Sequence, residues 1–327
     1  TKMKVIETAK YGGVRGDYYQ EFPSGTEVIK VGHFSKNLPS SVVELEARIT
    51  NQQLPQLHQL VNLKKLSLTR YQWETYDKTQ EVFLNGQLEE LELSGFPINV
   101  RFTESFKSLQ QLLSLKLPTS YLPNSDFLES LRLNKFCCRI HLSQTFPPSL
   151  PTVRECEFYV LPGVSLAFLA SFPNLSKLKL NFPKKQKDQQ EVFWAPLGNF
   201  NLHSLMVQSD FDCLTIQHMS NLEEFAALRC TNQQVLQKFN LKSCKMKELE
   251  WPLHGSLTDL EVDSIVGISS QQLSKLICKT NLTLKGEKVV SNQRFTPPKM
   301  ELVDVLEVVK RVGINELNLS RLGINLG

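Results

Sequence analysis

Along most of this chain apolar residues recur in a short pattern, L-x-x-L-x-L, whose last three positions run apolar, polar, apolar. The clearest copies start at Leu63 (LKKLSL), Leu88 (LEELEL), Leu112 (LLSLKL), Leu128 (LESLRL), Leu175 (LSKLKL) and Ile314 (INELNL). Six looser copies exchange a leucine for another residue, starting at Val42, Val153, Leu202, Leu222, Leu236 and Leu257. Alternation with period two places successive side chains on opposite faces of a strand. Each copy therefore predicts one short strand with an apolar inner face and a polar outer face.

From Val42 to Leu257 the copies begin 21, 25, 24, 16, 25, 22, 27, 20, 14 and 21 residues apart. Most of these steps suit a repeating unit of ~20–29 residues. The steps of 16 and 14 are too short for a full unit, which makes at least one neighbouring assignment at each place suspect. A gap of 57 residues before Ile314 leaves room for another unit around Leu282 and Leu284. One unit cannot bury its own apolar face. Stacked units can, each strand pairing with the one before it.

On these motifs the chain resembles the leucine-rich-repeat family from about Val42 onward. The resemblance implies an α/β solenoid, with a curved parallel sheet on the concave side and an irregular, partly helical convex side. It divides the chain into residues 1–37, an N-terminal cap or first irregular coil with a strand at Val28 to Val31, and residues 38–327, an array of about twelve coils. In that family the motif commonly continues to an asparagine or cysteine. Cys230 and Cys244 take that place after Leu222 and Leu236, whereas Tyr71, Phe96, Phe136, Pro183 and Asp210 take it elsewhere, so an asparagine ladder there is not expected. Two late connectors read as helices. Residues 269–277 open with an S-x-x-Q capping box, and 300–312 put Leu302, Val305, Leu306 and Val309 on one face before Gly313. Helix followed by strand is the layout of subclasses that include the repeat domains of F-box proteins.

Composition narrows the setting. The chain has 327 residues, 41% hydrophobic and 21% charged, which supports a substantial core. Its 37 basic and 33 acidic side chains leave a formal charge of +4, too slight to demand nucleic acid or anionic lipid. The seven cysteines show no paired spacing, so a disulfide framework is not expected. The sequons at Asn174, Asn281 and Asn318 overlap strand motifs and read as coincidence. No uncharged apolar run approaches the ~18 residues of a membrane span, and no signal peptide is seen. These features together predict an intracellular protein, cytoplasmic or nuclear.

The polar strand positions are the candidate partner surface, as the resemblance implies for the concave face. They include Glu44, Glu46, Lys65, Glu90, Glu92, Lys116, Arg132, Glu155, Glu157, Tyr159, Lys177, Lys179, Met206, Lys238, Lys242, Asp259, Glu261 and Asp263. Their signs tend to alternate from unit to unit. Such a face can neutralise itself and hold the stack in register. It can also dock a protein, and Arg132, Glu155, Glu157, Tyr159, Lys177, Lys179 and Met206 are the central candidates, with Tyr159 and Met206 as anchors. Asp259, Glu261 and Asp263 form an acidic group suited to a basic peptide. Alternation disfavours a long phosphate backbone, which calls for an unbroken basic track. The run Lys184, Lys185, Lys187 reads as a solvated loop.

Signatures of catalysis are missing. There is no P-loop, no dinucleotide glycine motif, no nucleophile elbow and no H-E-x-x-H. Cys137, Cys138 and His141 are close in sequence, but FCCRIHL alternates like a strand, and these cysteines read as buried and structural. No C-x-x-C suggests zinc. Neither a cofactor, a metal, a small-molecule substrate nor a membrane is expected. The expected role is that of a non-enzymatic module binding a protein partner. By resemblance this could serve substrate recognition for a ubiquitin ligase; the alternative is a scaffold subunit of a larger assembly.

Overall fold

The computed structural model describes residues 5–7, 25–31, 38–50, 54, 57–70, 84–96, 98, 100–120, 122, 125–142, 144–161, 163–182, 197, 199–250, 257–266 and 281–290. The helices expected at 269–277 and 300–312, the motif at Ile314, the lysine run at 184–187, Tyr71, Pro183, Cys278 and Asn318 lie outside these residues. The chain forms two compact units, Thr1–Pro196 and Leu197–Gly327.

The first unit carries nine strands: β1 (Val5–Glu7), β2 (Val28–Val31), β3 (Glu44–Ile49), β4 (Lys65–Arg70), β5 (Glu90–Ser94), β6 (Ser114–Leu117), β7 (Lys135–Ile140), β8 (Glu155–Val160) and β9 (Lys177–Asn181). Each pairs in parallel with the next, in chain order, to give an open sheet. Burial follows the motif. In β4, Leu66 and Leu68 are buried while Lys65 and Thr69 are exposed, and the same alternation recurs in β3, β5 and β8. Helix is scarce among the described residues: one α-helix, Val100–Phe106, and short 3-10 turns such as Asp126–Ser130 and Leu166–Ser171. None of it is long and apolar enough to cross a membrane.

One backbone junction recurs at ten of the described strands. Two successive amides just before and at the strand start donate to a single carbonyl of the preceding rung. Lys64 and Lys65 donate to Val43 O at 2.8 and 3.0 Å, Glu89 and Glu90 to Lys64 O at 2.8 and 3.0 Å, and Arg154 and Glu155 to Asn134 O at 2.9 and 3.0 Å. Side-chain amides reinforce it. Asn62 Nδ2 donates to Ser40 O (3.0 Å), Asn85 Nδ2 to Val61 O (2.5 Å) and Asn174 Nδ2 to Pro151 O (2.9 Å). All three carbonyls stand two residues before the first apolar residue of the preceding motif. An asparagine contact between rungs therefore exists, but before the strand rather than after it.

Two strand assignments from the leucine pattern are corrected. The copy at Leu128 falls on the 3-10 turn Asp126–Ser130 and the segment after it, and the strand is β7, whose inner residues are Phe136, Cys138 and Ile140. The motif of this rung starts at Leu133, which turns steps of 16 and 25 into 21 and 20. The copy at Leu236 falls on the 3-10 turn Gln233–Lys238. Its rung starts at Leu241, and Cys244 is an inner strand residue rather than the motif's ninth position. Phe136 moves inward by the same correction. Behind the first sheet, Phe136, Phe146, Phe158, Phe168 and Phe172 pack ring against ring, with centroids 5.0–6.3 Å apart. They fill the space that leucines fill in other rungs.

The second unit has five strands, β10 (Ser204–Asp212), β11 (Glu224–Thr231), β12 (Ser243–Glu250), β13 (Asp259–Val266) and β14 (Asn281–Val290), again parallel and in chain order. The expected strand around Leu282 and Leu284 is β14. Buried Gln233 links this unit's turn to its sheet: its Nε2 donates to Cys230 O (3.3 Å) and Glu248 O (3.1 Å), and its Oε1 accepts from Glu250 N (2.9 Å). With donor and acceptor both used, its burial leaves no unmet polar group.

Candidate functional site

Because strands pair one to one, outward residues line up in rows across each sheet. In the first unit one row runs Glu44, Lys65, Glu90, Ser114, Lys135, Glu155, Lys177. The next runs Lys30, Glu46, Ser67, Glu92, Lys116, Cys137, Glu157, Lys179. Opposite charges meet along both. Lys65 Nζ lies 2.8 Å from Glu90, Lys116 3.6 Å from Glu92, Lys135 2.9 Å and Lys177 3.9 Å from Glu155, and Lys179 2.7 Å from Glu157. A flanking pair, Lys64–Glu89, closes at 2.7 Å. Each such exposed pair stabilises by only ~0–1 kcal/mol. Their joint effect is to satisfy the charges of this face internally.

The sequence candidates of this unit separate into a cluster and an outlier. Glu155, Glu157, Tyr159, Lys177 and Lys179 come together on β8 and β9. Glu157 accepts from Lys179, from Asn181 Nδ2 (2.8 Å) and from Tyr159 Oη (3.3 Å). Partial burial works against its charge, yet the hydrogen bonds from Lys179 and Asn181 outweigh it and hold the carboxyl below its usual range. Burial and the Glu157 charge push the Tyr159 phenol up to about 12. Arg132 is the outlier. It is exposed in the segment before β7, off the strand, because the rung starts at Leu133; Lys135, Cys137 and Arg139 occupy the outward positions instead. Lys238 is likewise off the sheet, on a 3-10 turn, and Lys242 precedes β12, bonded to Glu223 at 2.9 Å.

Cys137 sits in an outward row yet is buried, opposite Lys116 and Glu157. Burial, then the Glu157 charge, pushes its thiol up to about 12, so it holds its proton at neutral pH. Cys138 and Cys156 are fully buried and pushed well above the ordinary thiol range. His141, past the end of β7, is exposed. Among the described residues no group of three or more His, Cys, Asp or Glu is arranged to hold a metal ion.

In the second unit the outward row through Met206 runs Met206, Ala226, Lys245, Glu261. Beside it lie Ser204, Glu224, Ser243 and Asp259. Lys245 and Glu261 pair at 2.7 Å, and Asp259 accepts from Thr258 Oγ1 at 2.8 Å. Between the pairs Val207–Ala227 and Asp210–Arg229, β10 carries two residues against one on β11, a bulge that bends the strand locally. The one is Leu228, 41% exposed, and Met206 is 40% exposed. The sequence expectation named Met206, Asp259 and Glu261 on this face and passed over Ala226, Leu228 and Lys245; Asp263 lies further along β13, half-buried. Ala226 was legible as the outward position inside the motif LEEFAA, and Leu228 follows once β11 is extended past it; Lys245 needed the corrected frame.

No protein-family model matches this chain, and no curated protein matches it either.

Proposed function

We propose that this chain is a leucine-rich-repeat module that binds a protein partner through the outward face of its strands, chiefly on the second unit. What carries the reading is the contrast between two faces built on the same plan. In the first unit the outward charges pair along the rows, which suits keeping rungs in register. In the second, Met206 and Leu228 stay exposed on a sheet face, with Ala226 beside Met206 and the charges of Lys245, Glu261 and Asp259 adjacent. Apolar side chains set among polar ones are the usual composition of a binding hot spot, where covering one good anchor is worth ~2 kcal/mol or more.

The test is affinity capture with the full chain against the Met206→Asp/Leu228→Asp double variant, with circular dichroism to show that both fold. Partner recovery lost in the double variant supports this face. Unchanged recovery refutes it. A second reading, a scaffold held permanently in a larger assembly, is supported by the self-paired first face. It predicts co-purification of a fixed set of subunits that survives high salt.

A further inference from the structure

Asn85–Gly86 is the one Asn-Gly dipeptide in the chain. It stands half-buried in the turn that leads into β5, and the Asn85 side chain is the clasp to the preceding rung. Nδ2 donates to Val61 O (2.5 Å) and Leu60 O (3.3 Å), and Oδ1 accepts from Gln87 N (3.0 Å). The main-chain carbonyl of Asn85 closes the turn by accepting from Leu88 N (3.1 Å). Gly86 N, by contrast, donates to no group among the described residues. Nor does the turn require glycine there. Gly86 does not take a positive φ, and a Cβ built on it would meet Ser108 O at 3.4 Å, close to ordinary contact. An unbonded main-chain nitrogen with no side chain to shield it therefore adjoins the Asn85 carboxamide. Asn62 and Asn174 make the same kind of clasp but precede Leu63 and Leu175.

We propose that Asn85–Gly86 is a site of self-modification by deamidation, with water as the co-reactant, and that loss of ammonia unclasps the β5 rung from the β4 rung. Gly86 N gives its proton to solvent base and attacks Asn85 Cγ. The C–N bond forms and the carbonyl electron pair moves onto Oδ1, where Gln87 N–H already donates, so the developing charge meets a placed donor. That pair then returns, the Cγ–Nδ2 bond breaks, and Nδ2 leaves as ammonia with the proton that solvent took. Val61 O and Leu60 O accept hydrogens of the departing nitrogen. Water adds to either carbonyl of the cyclic imide and reopens one C–N bond. Opening at Cγ gives aspartate; opening at the main-chain carbonyl gives isoaspartate. Water enters, ammonia leaves, and nothing is oxidised or reduced. Both products exchange a donor amide for a carboxylate that only accepts, so Val61 O and Leu60 O lose this donor. Isoaspartate also adds a methylene to the main chain within the turn.

The experiment incubates the folded full chain in mildly alkaline buffer made with heavy-oxygen water, quenches in acid and maps peptides by mass. The expected result is progressive conversion of the Asn85 peptide to aspartate and isoaspartate forms that carry the heavy oxygen, ahead of the peptides holding Asn62 and Asn174. In Gly86→Ala, which keeps the clasp, most of that conversion is expected to be lost. Asn85→Asp, one of the two products made outright, is expected to unfold at lower urea than wild type, and the incubated wild type to shift the same way. Conversion of Asn85 no faster than that of Asn62 and Asn174, conversion confined to chain unfolded in urea, or conversion undiminished in Gly86→Ala overturns the proposal. An Asn85→Asp urea midpoint equal to that of wild type overturns the unclasping.

Discussion

Truncating Phe158 to alanine probes the packed interior at its densest point. The side chain is fully buried in the middle of β8. Its ring centroid lies 5.0 Å from Phe168, 5.5 Å from Phe172, 6.0 Å from Phe136 and 6.3 Å from Phe146. Removing a buried phenylalanine ring costs ~3–5 kcal/mol, from lost transfer energy and the cavity left behind. Four aromatic neighbours, each contact worth ~0.5–1.5 kcal/mol beyond area, place this site at the upper end, about 5 kcal/mol. That is a large share of the ~5–15 kcal/mol that holds a typical domain together. Urea unfolding followed by far-ultraviolet circular dichroism gives the difference from the midpoint shift, provided the slope is unchanged. Lys179→Ala, on the opposite face of the neighbouring strand, is the control and is expected to cost ~1 kcal/mol at most. A Phe158→Ala loss below about 1 kcal/mol, or one equal to the control, would refute the assignment of alternate faces.

Further outcomes follow from named contacts. Glu157 has a folded pKa held below its unfolded value, so its contribution is present above the unfolded carboxylate range near ~4.3 and is lost as pH falls through the lower folded value. Urea midpoints of wild type should therefore fall more steeply than those of Glu157→Gln as pH drops from 6 toward 3, on the order of the carboxylate titration range; parallel curves would contradict this. Asn85→Ala removes the amide bonded to Val61 O and the carbonyl that accepts from Gln87 N (3.0 Å), and is expected to cost ~1–2 kcal/mol in the same unfolding assay. A double-mutant cycle on Lys65 and Glu90 is expected to give a coupling below ~1 kcal/mol that shrinks with added salt; a larger, salt-insensitive coupling would mean that the outer rows carry more of the stability than their exposure allows.

Much of the first sheet was legible because its inner positions are leucines on a period-two pattern, as in LKKLSL and LEELEL. The two misplaced rungs show where that signal fails. A 3-10 turn repeats every three residues, so Leu128 and Leu131, or Leu236 and Phe239, reproduce the L-x-x-L spacing while packing behind the sheet. The true strands there use phenylalanine, cysteine and methionine as inner residues, and a search for leucine passes over them. The frame slid by five residues in both cases, and the steps of 16 and 14 were its trace. For the outer face, charge alternation along the rows could be read from the chain. Which apolar residues stay uncovered was legible only in part: Leu228 follows Ala226 as the next outward position of LEEFAAL, but it lies past the motif and opposite a bulge in β10.

One-to-one stacking of rungs is tested most sharply at β6 against β7, where the leucine spacing and the strand register disagree. The structure pairs Lys116 with Cys137, whereas the leucine frame sets Lys116 beside Arg132. Mild oxidation of Lys116→Cys, followed by peptide mapping, should give a disulfide to the native Cys137, since paired strand positions fall within the ~4.4–6.8 Å Cα separation a disulfide needs. In Lys116→Cys/Arg132→Cys/Cys137→Ser no link should form. A disulfide between positions 116 and 132, with none to Cys137, would contradict the stacking described here.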